Sequence, residues 1–459
     1  MRLSAFLQRH RIPLLLFIGS LCVYCLFAWE RLGKPSTDPH FVYLAEAYLA
    51  GSLELQRKPP HRNDWASWRE LELADGRRVR GVWRTSKRGD SARQFRTLEG
   101  PVLALTEKDV RKTTVRYFVS FPPLPALLML PFVALFGLKT NDVLLTAIVA
   151  ALNVVLIHAV LRRLGKVGQS ERSARDDLIL ALVFGFGTVH LWCSVVGQVW
   201  FTALVVGVAF TCGFLLAVEA ERPWVAGVML ACALATRTPL AFLCVYYPLR
   251  LAWDGERWDL TELRSKATTL AKAALPAVLM LAILFTQNWI RFRNPFEFGH
   301  SYLAGGTIPR IAWHGLFSPR FVPKHLVAAL LLLPAIKATP PFLIVSRHGL
   351  SMLLTSPVFL WLLRPLRTPA SHRALWVTAL VVAIPALFYQ NTGYEQFGYR
   401  FSLDYTPLLI ALLAVGGRPL GRAFLVAAAA GVLVNAYGGV TFKRFQGHFD
   451  DHFPLEHAL

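Results

Sequence analysis

Three short segments of the sequence place ionisable side chains directly beside apolar runs. They are Asp38-Pro39-His40, then Arg237 within "LACALATRTPLAFL", and then "NTGYEQFGYRFSLDYTP", which contains Glu395, Tyr399, Arg400 and Asp404. An arginine at membrane depth costs about 2–3 kcal/mol or more unless it is paired or hydrated, so its presence indicates a carboxylate partner or a bound ligand. A guanidinium fork suits a phosphate, and a nearby carboxylate can remove a proton from an attacking hydroxyl.

Each of these residues also has a purely structural interpretation. Asp38 precedes a helix-like segment and is a typical N-cap residue. Arg237 can pair with a buried acid, and Arg400 lies four residues before Asp404, a spacing at which two side chains meet on a helix. His40 taken alone is typical of a structural histidine. The functional interpretation is favoured because all three segments are predicted to lie at one depth on one side of a membrane.

The composition indicates a membrane protein. The chain has 459 residues, of which 54% are hydrophobic and 17% are charged, whereas soluble domains have about 25% charged residues. Several apolar runs reach the roughly 17–25 residues that are needed to cross a hydrocarbon core. The six cysteines all lie in apolar segments without metal-ligand spacing, which indicates small core residues. The first run, from about Pro13 to Trp29, lacks a small-residue cleavage site and is predicted to be a retained helix.

Clusters of basic residues lie between the apolar runs, in a chain whose net charge is +21. Short basic loops normally mark the cytoplasmic side of a membrane protein, so this distribution argues against a nucleic-acid partner. Six clusters are predicted to be cytoplasmic: the N-terminus, "RRLGKVGQSERSAR" from Arg162, "EAERP" from Glu219, "RLAWDGERWDLTELRSK" from Arg250, "RPLRTPASHR" from Arg364 and "RPLGR" from Arg418.

Keeping all six clusters on one side requires that some apolar runs do not cross. The proline-rich run "SFPPLPALLMLPFVALFGL" is predicted to lie along the outer face or to re-enter. The run that begins at Pro223 is predicted to be a hairpin broken at Thr236-Arg237-Thr238-Pro239, and the segment from Val322 a surface or re-entrant element. We therefore predict an all-α polytopic fold of about eleven transmembrane helices, with the N-terminus inside and the C-terminus outside.

Two long extracytoplasmic loops are predicted within a single transmembrane domain that covers residues 1–459. They comprise residues 30–142 and residues 291–347. Within the first loop, "RELELADGRRVRGVW" alternates apolar and polar residues around Asp75-Gly76, which predicts a β-hairpin. The insert at residues 62–116 is therefore predicted to be rich in β-hairpins.

Three stretches of the sequence resemble a known family. They are "STDPHFVYLAEAYLAGSLEL", "YFVSFPPLPALLMLPFVALFGL" and "LACALATRTPLAFL". They are similar to the polytopic GT-C glycosyltransferases, and in particular to the bacterial group related to protein O-mannosyltransferases and aminoarabinose transferases (glycosyltransferase family 39-like). The resemblance covers most of the chain in layout.

The resemblance implies a site at the first external loop. An acid in that loop, here Asp38, is expected beside a polyprenyl-phosphate-linked sugar, and transfer is expected to invert the anomeric centre. Pro122-Pro123 corresponds to the Pro-Pro element of the family. Many members carry two acids where this chain has Asp38 followed by Pro39 and His40, so the base is predicted to be Asp38 or His40.

The predicted function is transfer of a sugar from a polyprenyl-phosphate donor to a glycan, lipid or protein acceptor on the extracytoplasmic side of the cell membrane. The predicted site comprises catalytic Asp38 and His40, donor-phosphate ligands Arg237 and Arg400, and accessory Glu46, Tyr399 and Asp404. Neither a metal nor a cofactor is predicted besides the lipid-linked co-substrate, and membrane lipids are the remaining partners.

Two other classes of protein remain open. A lipid or solute transporter, or a flippase, also keeps charges within the membrane, but it usually has related halves with paired broken helices, which the sequence does not show. A non-catalytic scaffold would use the basic outer loop to bind lipid headgroups or a partner. The sequence has no Walker loop, dinucleotide-binding glycine pattern or zinc motif, so a nucleotide-sugar donor is unsupported.

Overall fold

The computed structural model describes residues 11–84, 93–253, 257–303, 311 and 313–453. The basic residues before Arg11, together with parts of the predicted insert and of the second predicted loop, lie outside the described residues. The chain divides into two compact units. The helical unit comprises Met1–Thr37, Asn141–Leu279 and Phe317–Leu459, and the sheet unit comprises Asp38–Thr140 and Met280–Leu316.

Helices make up most of the described chain. The α-helices are α1 (Arg11–Ala28), α2 (His40–Leu49), α3 (Leu124–Phe136), α4 (Asp142–Lys166), α5 (Ala174–Phe186), α6 (His190–Cys193), α7 (Val199–Glu219), α8 (Pro223–Leu234), α9 (Tyr246–Ala252), α10 (Leu260–Ser265), α11 (Ala267–Phe292), α12 (Val322–Leu326), α13 (Met352–Thr355), α14 (Ala370–Phe388), α15 (Thr406–Val415) and α16 (Arg422–Thr441). Several 3₁₀ segments accompany them, among them Thr238–Val245, Pro357–Leu363 and Arg400–Asp404.

Six helices of the described chain are long and apolar enough to cross a membrane: α1 with its extension to Gly33, α4, α7, α11, α14 and α16. The protein is therefore a multi-pass helical membrane protein. The predicted count of about eleven crossings is not reproduced within the described residues. Helices α3, α8 and α15 are apolar but have only 10–17 residues each, which at about 1.5 Å per residue falls short of a hydrocarbon core about 30 Å thick.

Proline and glycine explain why several apolar runs give short helices. Helix α3 contains Pro131 and ends at Phe136, because the next residue, Gly137, has a φ of +54° that interrupts the helical course. Helix α8 ends at Leu234, and a 3₁₀ segment begins at Thr238, so the break predicted at Thr236–Pro239 is present. The segment from Val322 forms α12 and one π-helical turn. Two short strands follow, β6 (Ala335–Ile336) and β7 (Leu343–Ser346), and they form a three-stranded sheet with β8 (Phe449–Asp450) in the order β6-β7-β8.

The predicted insert forms a five-stranded antiparallel sheet in the order β4-β3-β2-β1-β5. Its strands are β1 (Trp65–Leu73), β2 (Arg78–Trp83), β3 (Arg93–Thr97), β4 (Val102–Leu105) and β5 (Val110–Val119). Strands β1 and β2 pair with Leu71 opposite Val79, and the turn between them contains Gly76 at φ +85°. The hairpin predicted around Asp75-Gly76 is therefore confirmed, because the alternating pattern and the left-handed glycine are both local signals.

The sheet unit has hydrophobic side chains packed on the sheet in two clusters. One cluster contains Leu71, Leu73, Phe95 and Leu105. The other contains Trp68, Phe118, Phe292 and Tyr302 with smaller neighbours. Arg291, at the end of α11, is fixed beside this second cluster, because its Nη1 donates to the carbonyl of Val119 at 2.7 Å. The packing holds β1 and β5, and with them the chain that precedes β1.

Five of the basic loops predicted to share one side make contact with one another in the helical unit. The joining contacts are Arg163 to the carbonyl of Glu219 (2.6 and 2.9 Å), Arg250 to the carboxylate of Glu219 (3.3 Å), Arg172 to the carbonyl of Arg418 (2.6 Å), and Arg373 over the ring of Trp253 (3.8 Å). Each contact links two of the predicted clusters. The five loops therefore share one end of this unit.

Candidate functional site

Asp38 precedes helix α2 without capping it. The N-cap of α2 is Pro39, and no side chain makes a capping hydrogen bond there. A proline disfavours helical geometry in the residue before it, so Asp38 stays in the turn. Its side chain is nevertheless buried, with 4% of the residue exposed. The N-cap interpretation of Asp38 is therefore wrong, and its carboxylate has other partners.

Two side chains from the segment that precedes β1 contact the Asp38 carboxylate. The amide Nδ2 of Asn63 donates to Oδ1 of Asp38 at 3.0 Å, and Nε2 of His61 lies 3.4 Å from the same oxygen. The other ring nitrogen of His61, Nδ1, accepts from the backbone N–H of Asn63 at 3.2 Å. Neutral histidine has one donor and one acceptor nitrogen, so Nε2 of His61 bears the hydrogen and points it at Asp38.

His40 is held by its ring in the same turn. The ring stacks on Trp65 with the ring centres 3.7 Å apart. Its Nδ1 lies 3.2 Å from the carbonyl oxygen of Asp38, and its Nε2 lies 3.1 Å from that of Asn63. Burial lowers the pKa of His40 to about 4, which outweighs the opposite effect of the two carbonyls. His40 is therefore neutral at pH 7 and donates to one of the two carbonyls.

The backbone before β1 turns sharply to bring these groups together. Asp64 has φ +54°, a left-handed conformation that aspartate tolerates better than most residues. The next residue, Trp65, opens β1 and forms the face on which His40 stacks. Asp38, His40, His61 and Asn63 thus form one cluster, which we call the Asp38 cluster.

Sequence reasoning found Asp38 and His40 but missed His61 and Asn63. Both lie in "RKPPHRND", more than 20 residues along the chain from Asp38. The polar, proline-containing stretch immediately before an alternating strand pattern was the available signal, because such stretches commonly form functional loops. Glu46, a predicted accessory residue, instead makes an ion pair of 2.7 Å with Arg57, whose side chain is 61% exposed.

Arg237 and Asp404 form a buried, bidentate ion pair in the helical unit. Nε and Nη2 of Arg237 donate to the two carboxylate oxygens of Asp404 at 2.6 and 2.8 Å. Asp404 is 4% exposed, and the guanidinium also lies over the ring of Phe401. The interpretation in which Arg237 pairs with a buried acid is thus confirmed. Nη1 of Arg237 has no hydrogen-bond partner within the described part of the chain.

Arg400 lies in the 3₁₀ segment that contains Asp404. Its guanidinium is buried among aromatic rings, 5.3–5.8 Å from the ring centres of Trp200, Phe201 and Phe401. Its backbone N–H donates to Oε1 of Gln396 at 2.9 Å, which anchors the start of the segment. Aromatic faces at these distances attract a guanidinium and stabilise it in a buried position.

Tyr399 contacts a histidine rather than a charged group. Its hydroxyl and Nδ1 of His325 are 2.9 Å apart, while Nε2 of His325 lies 2.8 Å from the carbonyl of Tyr389. Because the carbonyl can only accept, Nε2 donates to it and the Tyr399 hydroxyl donates to Nδ1. Burial lowers the pKa of His325 to about 4, so this arrangement is neutral at pH 7.

Comparisons with known proteins give a likeness in structure alone. The sequence matches no protein-family model and no curated protein. The apo oligosaccharyltransferase of Archaeoglobus fulgidus is similar in structure, with a TM-score of 0.45 and 13% identity over 93% of this chain and 56% of that one.

Two further structures from the same organism are similar to this chain. The oligosaccharyltransferase tethered to an acceptor peptide with an NVT sequon gives a TM-score of 0.44 at 12% identity. The enzyme AglB with an inhibitory peptide and a dolichol-phosphate gives 0.46 at 10%, and each comparison covers 95% of this chain and 56% of the other. The chain thus spans just over half the length of these structures, and its chemistry has to be derived from its own residues.

Proposed function

We propose that the protein is a membrane glycosyltransferase, which transfers a sugar from a polyprenyl-phosphate donor to an acceptor hydroxyl on the extracytoplasmic face. The observation that carries the proposal is the environment of Asp38. Its carboxylate is 4% exposed, does not cap α2, and is contacted by the amide of Asn63 and the imidazole of His61. A carboxylate that is fixed in place by N–H groups is suited to accept a proton from a substrate.

In the proposed reaction, Asp38 removes the proton of the acceptor hydroxyl while the oxygen attacks the anomeric carbon. The bond between that carbon and the phosphate oxygen breaks, and the polyprenyl phosphate leaves with the bonding electrons. Attack opposite the leaving group inverts the anomeric configuration. The expected contribution of a general base is about a hundred- to ten-thousand-fold in rate.

Asp38 is a better candidate for the base than His40. Both ring nitrogens of His40 contact backbone carbonyls, and one ring face is covered by Trp65. A ring held in this way has no lone pair directed away from its own turn. The same contacts join the turn at Asp38 to the segment at Asn63, so the proposed role of His40 is to position the turn.

The proposed ligands of the donor phosphate are Arg237 and Arg400. In Arg237, Asp404 fixes the guanidinium and leaves Nη1 as a donor. The guanidinium of Arg400 is buried against aromatic rings, which stabilise its charge. Guanidinium groups bind phosphate oxygens through charge-assisted hydrogen bonds, and each role can be measured by donor binding independently of Asp38.

The test uses Asp38→Asn, which keeps the size of the side chain and removes the base. The full-length protein in proteoliposomes is supplied with synthetic polyprenyl-phosphate mannose, glucose, galactose or aminoarabinose, and with a membrane extract of the source cells as acceptor. We expect a folded variant that binds donor normally but transfers sugar at least about a hundred times more slowly. Transfer at the rate of the unmodified protein would exclude Asp38 as the base, and a protein that moves the donor across the bilayer without consuming it would be a flippase.

A further inference from the structure

We propose that Asn63 is the positioning residue for the Asp38 carboxylate, so that the segment leading into the β-sheet is part of the catalytic site. The inference rests on the proposed function of Asp38 and assigns a role to the start of the insert. Asn63 does not contact the substrate in this proposal. It acts by fixing the carboxylate in the orientation that proton transfer requires.

Asn63 contributes three separate groups to the Asp38 cluster. Its side-chain Nδ2 donates to Oδ1 of Asp38 at 3.0 Å. Its backbone N–H donates to Nδ1 of His61 at 3.2 Å, which leaves the hydrogen of His61 on Nε2, the atom that faces Asp38. Its carbonyl oxygen lies 3.1 Å from Nε2 of His40. One residue thus connects both histidines and the proposed base.

The position of Asn63 is set by the sheet rather than by its own burial. Asn63 itself is exposed. The residues after it are anchored, because Asp64 makes the left-handed turn and Trp65 is buried against the ring of His40. The amide therefore reaches a buried carboxylate from an exposed backbone, and replacing the side chain removes no core packing.

Replacing the amide of Asn63 with a carboxylate should change the pH–rate profile, which a merely structural role of Asn63 would leave unchanged. In Asn63→Asp a second carboxylate takes the place of a donor 3.0 Å from Oδ1 of Asp38. Two carboxylates this close share a proton, and one apparent pKa of the pair rises strongly. Other titratable groups of this environment are His40, His61, Asp64 and His300, the last through its electrostatic interaction with Asp64, and the substitution leaves them in place.

The experiment measures pH–rate profiles of the full-length protein and three variants, with the donor from the panel above that the unmodified protein consumes. We expect Asn63→Asp to move the acid limb to higher pH by about one unit or more. We expect Asn63→Leu, which removes the donor without adding charge, to lower kcat about tenfold while donor KM stays within about twofold. Asn294→Asp is the matched control, because Asn294 is an exposed asparagine of the same unit whose Oδ1 accepts from the N–H of Phe296.

The outcomes separate this inference from the proposed function. A shift of the acid limb in Asn63→Asp but not in Asn294→Asp supports the positioning role. If sugar transfer depends on Asp38 but the pH–rate profile of Asn63→Asp is unchanged, this inference is overturned and the proposed function stands. The proposed function and this inference fail together if the unmodified protein consumes no donor of the panel, or if the Asp38→Asn variant transfers sugar at the normal rate.

Discussion

Two carboxylates in this protein are equally buried but are held in different ways. Asp38 in the sheet unit and Asp404 in the helical unit are each 4% exposed. Oδ1 of Asp38 is contacted by the amide of Asn63 and the imidazole of His61. Both oxygens of Asp404 accept from the guanidinium of Arg237 at 2.6 and 2.8 Å.

The comparison shows that burial alone does not identify a reactive carboxylate. A guanidinium that binds both oxygens neutralises the charge and uses the lone pairs that a proton would need. Removing one partner of such a pair leaves an uncompensated charge in a low dielectric. Amide and imidazole N–H groups orient a carboxylate without neutralising it. We therefore expect Asp404 to contribute to stability and Asp38 to contribute to turnover.

The largest effect on stability is expected at the Arg237–Asp404 pair. Arg237→Gln leaves the Asp404 carboxylate buried without its cation, and we expect a loss of about 3–5 kcal/mol in the free energy of unfolding. Asp404→Asn should be comparably destabilising. The double variant should be more stable than either single one, because it contains no unpaired buried charge. Denaturant unfolding in detergent measures all four proteins.

The same four proteins also test whether Arg237 binds the donor phosphate. If Arg237→Gln is as stable as the unmodified protein and loses only donor affinity, the guanidinium serves the ligand and not Asp404. The double variant then gives the donor affinity of a protein without either charge. A normal affinity in that folded double variant would exclude Arg237 as a phosphate ligand.

The next effect concerns pH and His40 in the Asp38 cluster. The pKa of His40 is about 4 in the folded protein and about 6.5 when unfolded, so the unfolded state binds more protons between these values. Stability should therefore be complete above about pH 6.5 and fall as the pH drops towards 4, by up to about 3 kcal/mol from this residue. His40→Phe keeps a ring against Trp65 and should reduce this pH dependence of the melting temperature.

The control for the pH experiment is His448→Phe, a half-buried histidine of the helical unit whose Nδ1 contacts the hydroxyl of Tyr437. It removes one imidazole outside the Asp38 cluster, so a reduced pH dependence in His40→Phe but not in His448→Phe assigns the effect to that cluster. Burial also lowers the pKa of His325. The pH dependence of the melting temperature of the unmodified protein therefore reflects more than one proton. If His40→Phe does not reduce the pH dependence of the melting temperature, His40 is protonated in the folded cluster.

The smallest of the three effects is expected at Arg400. Charge-assisted hydrogen bonds contribute about 1.5–3 kcal/mol, so Arg400→Gln should weaken binding of a polyprenyl-phosphate sugar roughly ten- to a hundredfold. Competition binding with the lipid phosphate lacking the sugar tests whether the phosphate is the group recognised. Arg418→Gln removes an equal charge from a basic loop and should bind normally. Equal donor affinity in Arg400→Gln and Arg418→Gln would contradict the role.

Local signals in the sequence predicted local structure well. The hairpin at Asp75-Gly76 and the helix break before Thr238 both depend on a few adjacent residues whose backbone preferences are strong. The number of crossings was not predictable in the same way. Hydropathy counts apolar residues, whereas a span also needs a helix that is long enough, and the apolar helices α8 and α15 have only 12 and 10 residues.

The candidate site was predictable only in part, for a related reason. Asp38 is conspicuous because it lies between an apolar run and a proline. Its contact with Asn63 joins residues 25 positions apart, and the contact of Arg237 with Asp404 joins residues 167 positions apart. No periodicity encodes such pairs. They depend on how the sheet turns at Asp64 and how the helices pack, which only the tertiary structure determines.

The most direct test of the account is to compare Asp38→Asn with Asp404→Asn in one experiment, measuring melting temperature and sugar transfer per folded molecule. Both substitutions replace one oxygen of an equally buried carboxylate with an amide group. We predict that Asp38→Asn is the more stable variant and yet the slower one, with transfer at least about a hundredfold below the unmodified protein. If Asp38→Asn instead transfers as fast as the unmodified protein, or if it is the variant that unfolds, Asp38 is a structural carboxylate and the central claim is wrong.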